Sequence, residues 1–129
     1  MKIYIAHAKA YDYINKLYKP IRESELSKEH EIILPHELDD KSSTTREFYR
    51  SLDLFIGEVS YSATGLGIEL GWAYDDEIPL YCIHKEGTRV KGSIYAITNN
   101  IYEYTDETLV DTINHIIKLE KEKNKARTR

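Results

Sequence analysis

The segment from Glu58 to Ala73, EVSYSATGLGIELGWA, combines two carboxylates with three of the six glycines in the chain. Gly65 and Gly67 lie just before a helical pattern, so the backbone there can adopt a positive φ angle or approach a ligand closely. A helix N-terminus carries partial positive charge, which favours a bound anion or an acidic side chain in its first turn. Glu69 therefore has two interpretations: a first-turn residue that stabilises the helix dipole, or a carboxylate held beside a ligand.

Other catalytic and metal-binding patterns find little support in the sequence. The glycines lack the complete GxGxxG pattern and follow the third predicted strand, so dinucleotide binding is only weakly indicated. The five histidines show no HxH or HExxH spacing and Cys82 is the single cysteine, so we expect no metal ion and no other cofactor. Ser60 and Ser62 lie outside any GxSxG pattern, which argues against a serine hydrolase.

Length, charge and composition narrow the class of protein. The 129 residues, 41% hydrophobic and 31% charged, predict one globular domain over 1–129, with a charged, frayed tail from about 119. The net charge of −4 argues against nucleic acid as a partner, since nonspecific binding requires a basic face. No apolar run approaches the roughly 18 residues of a membrane span, and the lone cysteine suits a reducing compartment. We therefore expect a cytoplasmic protein that contacts no membrane.

Apolar, strand-like runs alternate with helical patterns along the chain. Strands are predicted at 3–6, 31–34, 53–59, 80–84 and 101–104. Helices are predicted at 13–23, shortly before Leu52, and at 64–75, 89–98 and 106–118. Five such units predict an α/β fold in which a five-stranded, mostly parallel sheet is covered by helices on both faces.

A doubly wound sheet determines where a ligand would bind. Ligands bind beyond the carboxyl ends of the strands, at the point where the strand order reverses. With the order 2-1-3-4-5, that point lies between the first and third strands. The segments AHAKAYD (6–12) and EVSYSATGLG (58–67) then face each other, so we expect the functional site between them.

Three segments together resemble a known family. They are KIYIAH near the N-terminus, DLFIGEVSYSATGLGIELGWA from Asp53 onward, and RVKGSIYAI further along. In this pattern an aspartate opens a strand, a Glu-Val-Ser turn follows, and Gly-x-Gly-x-Glu-Leu-Gly begins a helix. It is similar to the nucleoside 2-deoxyribosyltransferases, and within them to the 2′-deoxynucleoside 5′-monophosphate N-glycosidases. The resemblance implies the flavodoxin-like, five-stranded doubly wound fold already predicted.

The resemblance also implies an enzyme and its site residues. Glu69 would be the nucleophile that attacks the anomeric carbon of a nucleoside or nucleoside 5′-monophosphate, forming a covalent glycosyl-enzyme. Tyr4, from the first strand, would orient it. Water would complete hydrolysis, as in an N-glycosidase, or a second base would complete transfer. The expected substrate-binding residues are His7, Lys9, Asp53, Glu58, Ser60, Ser62, Thr64, Gly65, Gly67 and Ser93.

The sequence departs from the family at the residue that assists the leaving base. The family has an aspartate eight positions before Asp53, where this chain has Thr45. The candidates to substitute for it are Glu37, Asp39 and Glu47. The alternative hypothesis is therefore a nucleotide-binding module of the same fold with little or no catalysis. A third hypothesis is an N-glycosidase that acts on a larger nucleotide, such as a dinucleotide.

A second set of departures concerns the phosphate. Ala8, Ala10 and Ala63 replace a serine, an arginine and a serine of the monophosphate hydrolases. The nearby residues that could still hold a phosphate are His7, Lys9, Ser62 and Thr64. Ser93 matches a serine that those enzymes supply from a neighbouring subunit. We therefore expect a homodimer or larger homo-oligomer, with aromatic residues around Trp72, Tyr74 and Tyr95 at the interface.

Overall fold

A single parallel sheet organises the chain, as seen in a computed structural model that describes residues 1–38 and 45–127. Its strands are β1 (Lys2–His7), β2 (Glu31–Ile33), β3 (Leu54–Glu58), β4 (Leu80–Lys85) and β5 (Ile101–Tyr104). The order is β2-β1-β3-β4-β5, and all four pairings are parallel. The predicted fold class and strand order are confirmed.

Six α-helices and two short helical turns accompany the strands in the described part of the chain, and the last helix follows the last strand. The helices are α1 (Lys19–Glu23), α2 (Leu26–Glu29), α3 (Arg46–Arg50), α4 (Thr64–Asp75), α5 (Gly92–Tyr95) and α6 (Leu109–Arg127). A π-helical turn at Ile14–Tyr18 runs into α1, and a 3₁₀ turn occupies Pro35–Glu37. The first predicted helix is thus divided before Pro20, which lies in the first turn of α1, where its missing N–H costs no hydrogen bond. The last helix continues beyond its predicted end at residue 118 to Arg127.

Alternate residues of β1 enter two separate cores, one on each face of the sheet. Ile3 and Ile5 pack into the core that contains residues of α1 and α6. Tyr4 and Ala6 point to the opposite face, into the core that contains residues of α3 and α4. This period-two alternation directs the Tyr4 side chain toward α4.

Helix α4 packs closely on β3 because Gly57 has no side chain. A Cβ atom at Gly57 would lie 2.8 Å from Cδ2 of Leu70 in α4. In the adjacent pairing, His7 of β1 lies opposite Glu58 of β3, so the two strands end at the same level. This alignment brings the loop after β1 next to the start of α4. No helix in the described residues is long and apolar enough to cross a membrane.

Candidate active site

A cavity of about 720 Å³ opens beyond the carboxyl ends of β1 and β3. It lies between the loop after β1 and the first turns of α4, where the strand order predicts the functional site. Its lining consists of Tyr4, His7, Ala8, Lys9, Pro35, His36, Leu38, Tyr49, Ala63, Gly65, Leu66, Ile68, Glu69 and Trp72. The two proposed catalytic residues, Tyr4 and Glu69, therefore meet in one cavity.

Glu69 lies in the second turn of α4, because the helix begins at Thr64. The expected first-turn position is therefore wrong, and with it the simple helix-dipole interpretation. Of the two possibilities for Gly65 and Gly67, a positive φ angle is not adopted, since positive φ among the described residues occurs at Glu77 and Gly87. Both glycines are helical, and no atom within 4 Å would contact a Cβ added at either.

Two tyrosine hydroxyls donate to the same oxygen of Glu69. The Tyr4 hydroxyl lies 2.5 Å from Oε2, and the Tyr49 hydroxyl lies 2.8 Å from it. Both tyrosines are 1% exposed, so their rings are held in the core while their hydroxyls reach the half-buried carboxylate. Burial raises the pKa of Glu69, and the two hydrogen bonds oppose that rise because they stabilise the ionised form.

Tyr4 remains a protonated donor over the ordinary range of pH. Burial, followed by the charge of Glu69 and their hydrogen bond, raises the pKa of Tyr4 well above its usual value. Tyr4 also makes edge contacts with the rings of Phe48 and Tyr49, at centroid distances of 5.9 and 5.4 Å. The carboxylate is therefore held by side chains that are themselves fixed.

His7 lines the cavity, but both of its ring nitrogens are already hydrogen-bonded. Nδ1 donates to the carbonyl oxygen of Ala8 at 2.8 Å, since a carbonyl can only accept. The hydroxyl of Tyr18 accepts from the backbone N–H of His36 and donates to Nε2 of His7, at 3.0 and 2.6 Å. Burial lowers the pKa of His7, which favours the neutral form of its ring on the cavity wall.

Three of the predicted binding residues do not line the cavity and instead make hydrogen bonds within the fold. Oδ2 of Asp53 accepts from the backbone N–H of Lys2 at 2.7 Å, at the opposite end of the sheet from Glu69. Glu58 is 1% exposed and accepts from the backbone N–H of Ser60 at 2.8 Å and from the Ser60 hydroxyl at 2.7 Å. The Tyr104 hydroxyl also donates to Glu58. This network is consistent with a structural role for Glu58 and Ser60.

Predicted phosphate contacts divide between two cavities. Lys9 and Gly65 line the cavity that contains Glu69. Ser62, Gly67 and Ser93 line a second cavity of about 160 Å³, on the other side of the α4 N-terminus. Thr64, the first residue of α4, is exposed and lines neither of these two cavities.

Two of the residues considered as substitutes for the family's aspartate, Glu37 and Glu47, do not line the cavity. Thr45 caps α3 through its Oγ1, which accepts from the backbone N–H of Phe48 at 3.1 Å. Glu37 pairs with Arg22, at 2.5 Å between Oε1 and Nη2, and Glu47 is exposed on α3. Asp39 lies outside the described residues. Within the described residues, no group of three or more His, Cys, Asp and Glu side chains could hold a metal ion.

Tyr49 and Trp72 are cavity residues that the sequence analysis did not assign to the site. Tyr49 lies one helical turn after the Thr45 cap, so the helix start and its spacing were signals that could have found it. Trp72 lies three residues after Glu69 on the same face of α4, and its ring is 5.5 Å from that of Tyr49. Trp72 is half-buried and lines the cavity.

Comparison with known proteins identifies the architecture. No protein-family model and no curated protein matches the sequence. A conserved protein from Enterococcus faecalis V583 aligns with a TM-score of 0.63 and 20% identity, over 89% of this chain and 98% of that one. The CMP N-glycosidase BcmB of Clostridium botulinum aligns with a TM-score of 0.61 and 16% identity, over 88% of this chain and 99% of that one. The chain has the fold of an N-glycosidase. The fold implied by the sequence resemblance is therefore confirmed.

Proposed function

We propose that this protein cleaves or transfers the N-glycosidic bond of a nucleoside or nucleoside 5′-monophosphate. The observation that carries the proposal is the half-buried Glu69 carboxylate on the cavity wall, with two tyrosine hydroxyls on one oxygen. Its match to the nucleophile of the resembled family supports the same role. The fold shared with a CMP N-glycosidase adds support.

The proposed reaction has two steps. An electron pair of the Glu69 carboxylate forms a bond to the anomeric carbon while the bond from that carbon to the base nitrogen breaks. The base keeps the electron pair of the broken bond and takes a proton from water. A water molecule then attacks the anomeric carbon, the bond to Glu69 breaks, and the extra proton of that water passes to solvent. A second base in place of this water would give transfer.

Tyr4 and burial prepare Glu69 for the first step. The carboxylate must be ionised to attack, and the Tyr4 hydroxyl stabilises the ionised form. Burial removes part of its hydration, so the charge is held by fixed dipoles in place of mobile water. The cavity is large enough for a ligand of nucleotide size, since ligand pockets commonly measure about 300–1,000 Å³.

A 5′-phosphate would be held mainly by Lys9 and the start of α4. Lys9 lines the cavity together with Gly65, close to the first backbone N–H groups of α4, which form the positive end of the helix dipole. Ala8 and Ala63 offer no hydrogen bond, so we expect a modest preference for the monophosphate that weakens as salt screens the exposed lysine. Ser93 lines the second cavity of its own chain. In an oligomer, we expect it to contact the phosphate that is bound by a neighbouring subunit.

The test is incubation with a panel of nucleosides and their 5′-monophosphates, with and without an acceptor base, followed by chromatography of free base. Glu69→Ala should reduce base release by more than about a thousandfold, as expected for loss of a nucleophile. The matched control is Glu47→Ala, which removes an exposed carboxylate outside the cavity and should release base as the wild type does. Circular dichroism checks that both variants fold.

Two outcomes would contradict the proposal. Wild-type base release by a folded Glu69→Ala protein would exclude Glu69 as the nucleophile. Tight binding of a monophosphate by the wild type, without release of base from any member of the panel, would favour the nucleotide-binding module instead.

A further inference from the structure

The two oxygens of Glu69 have different surroundings. Oε2 accepts from Tyr4 on β1 and from Tyr49 on α3. Oε1 has no hydrogen-bond donor within residues 1–38 and 45–127. It is not among their buried polar atoms that lack a partner, so it is accessible to solvent. The carboxylate therefore presents one fixed oxygen to the protein and one open oxygen to the cavity.

We propose that Tyr49 is a second positioning residue, which acts with Tyr4 to hold Oε2 so that Oε1 is the oxygen that attacks the sugar. The inference rests on the proposed function, because it concerns the same nucleophile. It assigns a role to α3, which the sequence resemblance connects with the leaving base and not with the orientation of Glu69.

Two donors on different elements restrain a carboxylate more than one donor does. With Tyr4 alone, the carboxylate could rotate about its single hydrogen bond. Tyr49 reaches the same oxygen from α3, whereas Tyr4 reaches it from β1. The two tyrosines lie 20 and 65 positions from Glu69 along the chain, so two independent elements converge there. Orientation of a nucleophile within a narrow angular range accelerates attack because less freedom is lost in the transition state.

Tyr49 is itself held firmly enough for this role. Its ring lies 5.4 Å from that of Tyr4 and 5.5 Å from that of Trp72, and it is 1% exposed. The N-cap of Thr45 fixes the start of the short helix that carries it. After attack, Oε1 would carry the sugar and Oε2 would become the carbonyl oxygen of the ester, which still accepts from both hydroxyls.

The variant Tyr49→Phe tests the inference, because it removes the hydroxyl and keeps the ring. We expect the pKa of Glu69, followed by NMR of its ¹³C-labelled carboxyl group, to rise by roughly one unit when a hydrogen bond to the ionised form is lost. The acidic limb of the pH–rate profile should move in the same direction. At the optimum pH, kcat should fall about tenfold or more with little change in KM, as for an interaction made with the nucleophile and not with bound substrate.

The matched control is Tyr81→Phe. Tyr81 is also 1% exposed and donates to a buried carboxylate, that of Glu120 at 3.1 Å, but it lies in the core on the opposite face of the sheet. This variant should lose stability and leave both the Glu69 titration and the acidic limb unchanged. If Tyr49→Phe does not fold, Tyr49→Met removes the hydroxyl with a more adaptable apolar side chain and serves in its place.

The NMR titration separates this inference from the proposed function because it needs no turnover. An unchanged Glu69 titration in a folded Tyr49 variant would overturn the positioning role even if the wild type cleaves nucleosides. A shifted titration in a protein that cleaves no substrate would overturn the proposed function and leave the contact from Tyr49 to Glu69 established. A loss of kcat in Tyr49→Phe equal to that in Tyr81→Phe would also count against the inference.

Discussion

At the scale of single residues, Glu69 is a carboxylate placed where ionisation is unfavourable. Burial outweighs the two tyrosine hydrogen bonds and raises its pKa in the folded protein. The folded state therefore binds this proton more tightly than the unfolded chain does. It follows that the contribution of Glu69 to stability is present at acid pH and is lost as pH rises through the folded pKa. This loss of stability is the cost of keeping an ionised carboxylate in the cavity.

The stability of Glu69→Gln measured against pH tests this account. At neutral pH the variant should melt at a higher temperature than the wild type, because it removes an unfavourable buried charge and keeps an oxygen that accepts from the tyrosines. Below roughly pH 4, where glutamate is protonated even in the unfolded chain, the difference should vanish.

Asp76→Asn is the control, since its stability at neutral pH should change in the opposite direction. Arg46 holds the pKa of Asp76 below its ordinary value, so this variant should be less stable than the wild type at neutral pH, with the deficit decreasing in acid. If Glu69→Gln were the less stable protein at neutral pH, the raised pKa would be contradicted.

At the scale of elements, α4 contains glycines at helical positions where there is room for a larger side chain. Gly67 and Gly71 have helical backbones, are exposed, and have no atom within 4 Å of an added Cβ. Glycine in a helix costs conformational entropy without a compensating contact here. Gly57 differs, because β3 needs it for the approach of Leu70.

Substitution by alanine should therefore have opposite effects at these positions. We expect Gly71→Ala to raise the free energy of unfolding by about 0.4–1 kcal/mol, chiefly through the unfolded chain. Gly57→Ala, the control, should lower it because the new methyl group overlaps Leu70. Urea unfolding at low protein concentration measures both. If monomeric Gly71→Ala had a lower free energy of unfolding than the wild type, this expectation would be contradicted, and α4 would need glycine at that position for a reason that the contacts of Gly71 do not show.

At the scale of the whole molecule, exposed apolar side chains gather on two neighbouring elements. Ile68 and Tyr74 of α4 are 49% and 55% exposed, and Tyr95 of α5 is 56% exposed. Exposed apolar patches often mark association sites, and the site proposed here would use Ser93 of a neighbouring subunit. We therefore expect a homodimer that covers this face.

Sedimentation velocity tests the assembly. The double variant Tyr74→Ser and Tyr95→Ser should shift the protein toward monomer and lower its activity on monophosphates. Ile14→Ser is the control, since Ile14 is 60% exposed on the π-helical turn, outside this face, and should leave the assembly intact. A fully active wild-type monomer at assay concentration would contradict the dimer.

The sequence by itself determined the sheet, and it predicted the position of the candidate site and the pairing of Tyr4 with Glu69. Apolar runs at regular intervals predicted five parallel strands, since only a sheet covered on both faces buries them all. The strand order then placed the site beyond β1 and β3. The resemblance named Tyr4 and Glu69 together, and their hydroxyl and carboxylate lie 2.5 Å apart.

Only the tertiary structure decided which of the other residues share that cavity. Nothing in the sequence indicated that Asp53 lies at the far end of the sheet, that burial lowers the pKa of His7, or that Ser62 lines a second cavity. It also missed Tyr49, which is distant from Tyr4 along the chain and meets Glu69 only through packing. Motifs record residue types in order, whereas side-chain direction and hydrogen-bond partners depend on the register of strands and on where each helix begins. Glu69 lies in the second turn of α4 because that helix starts at Thr64.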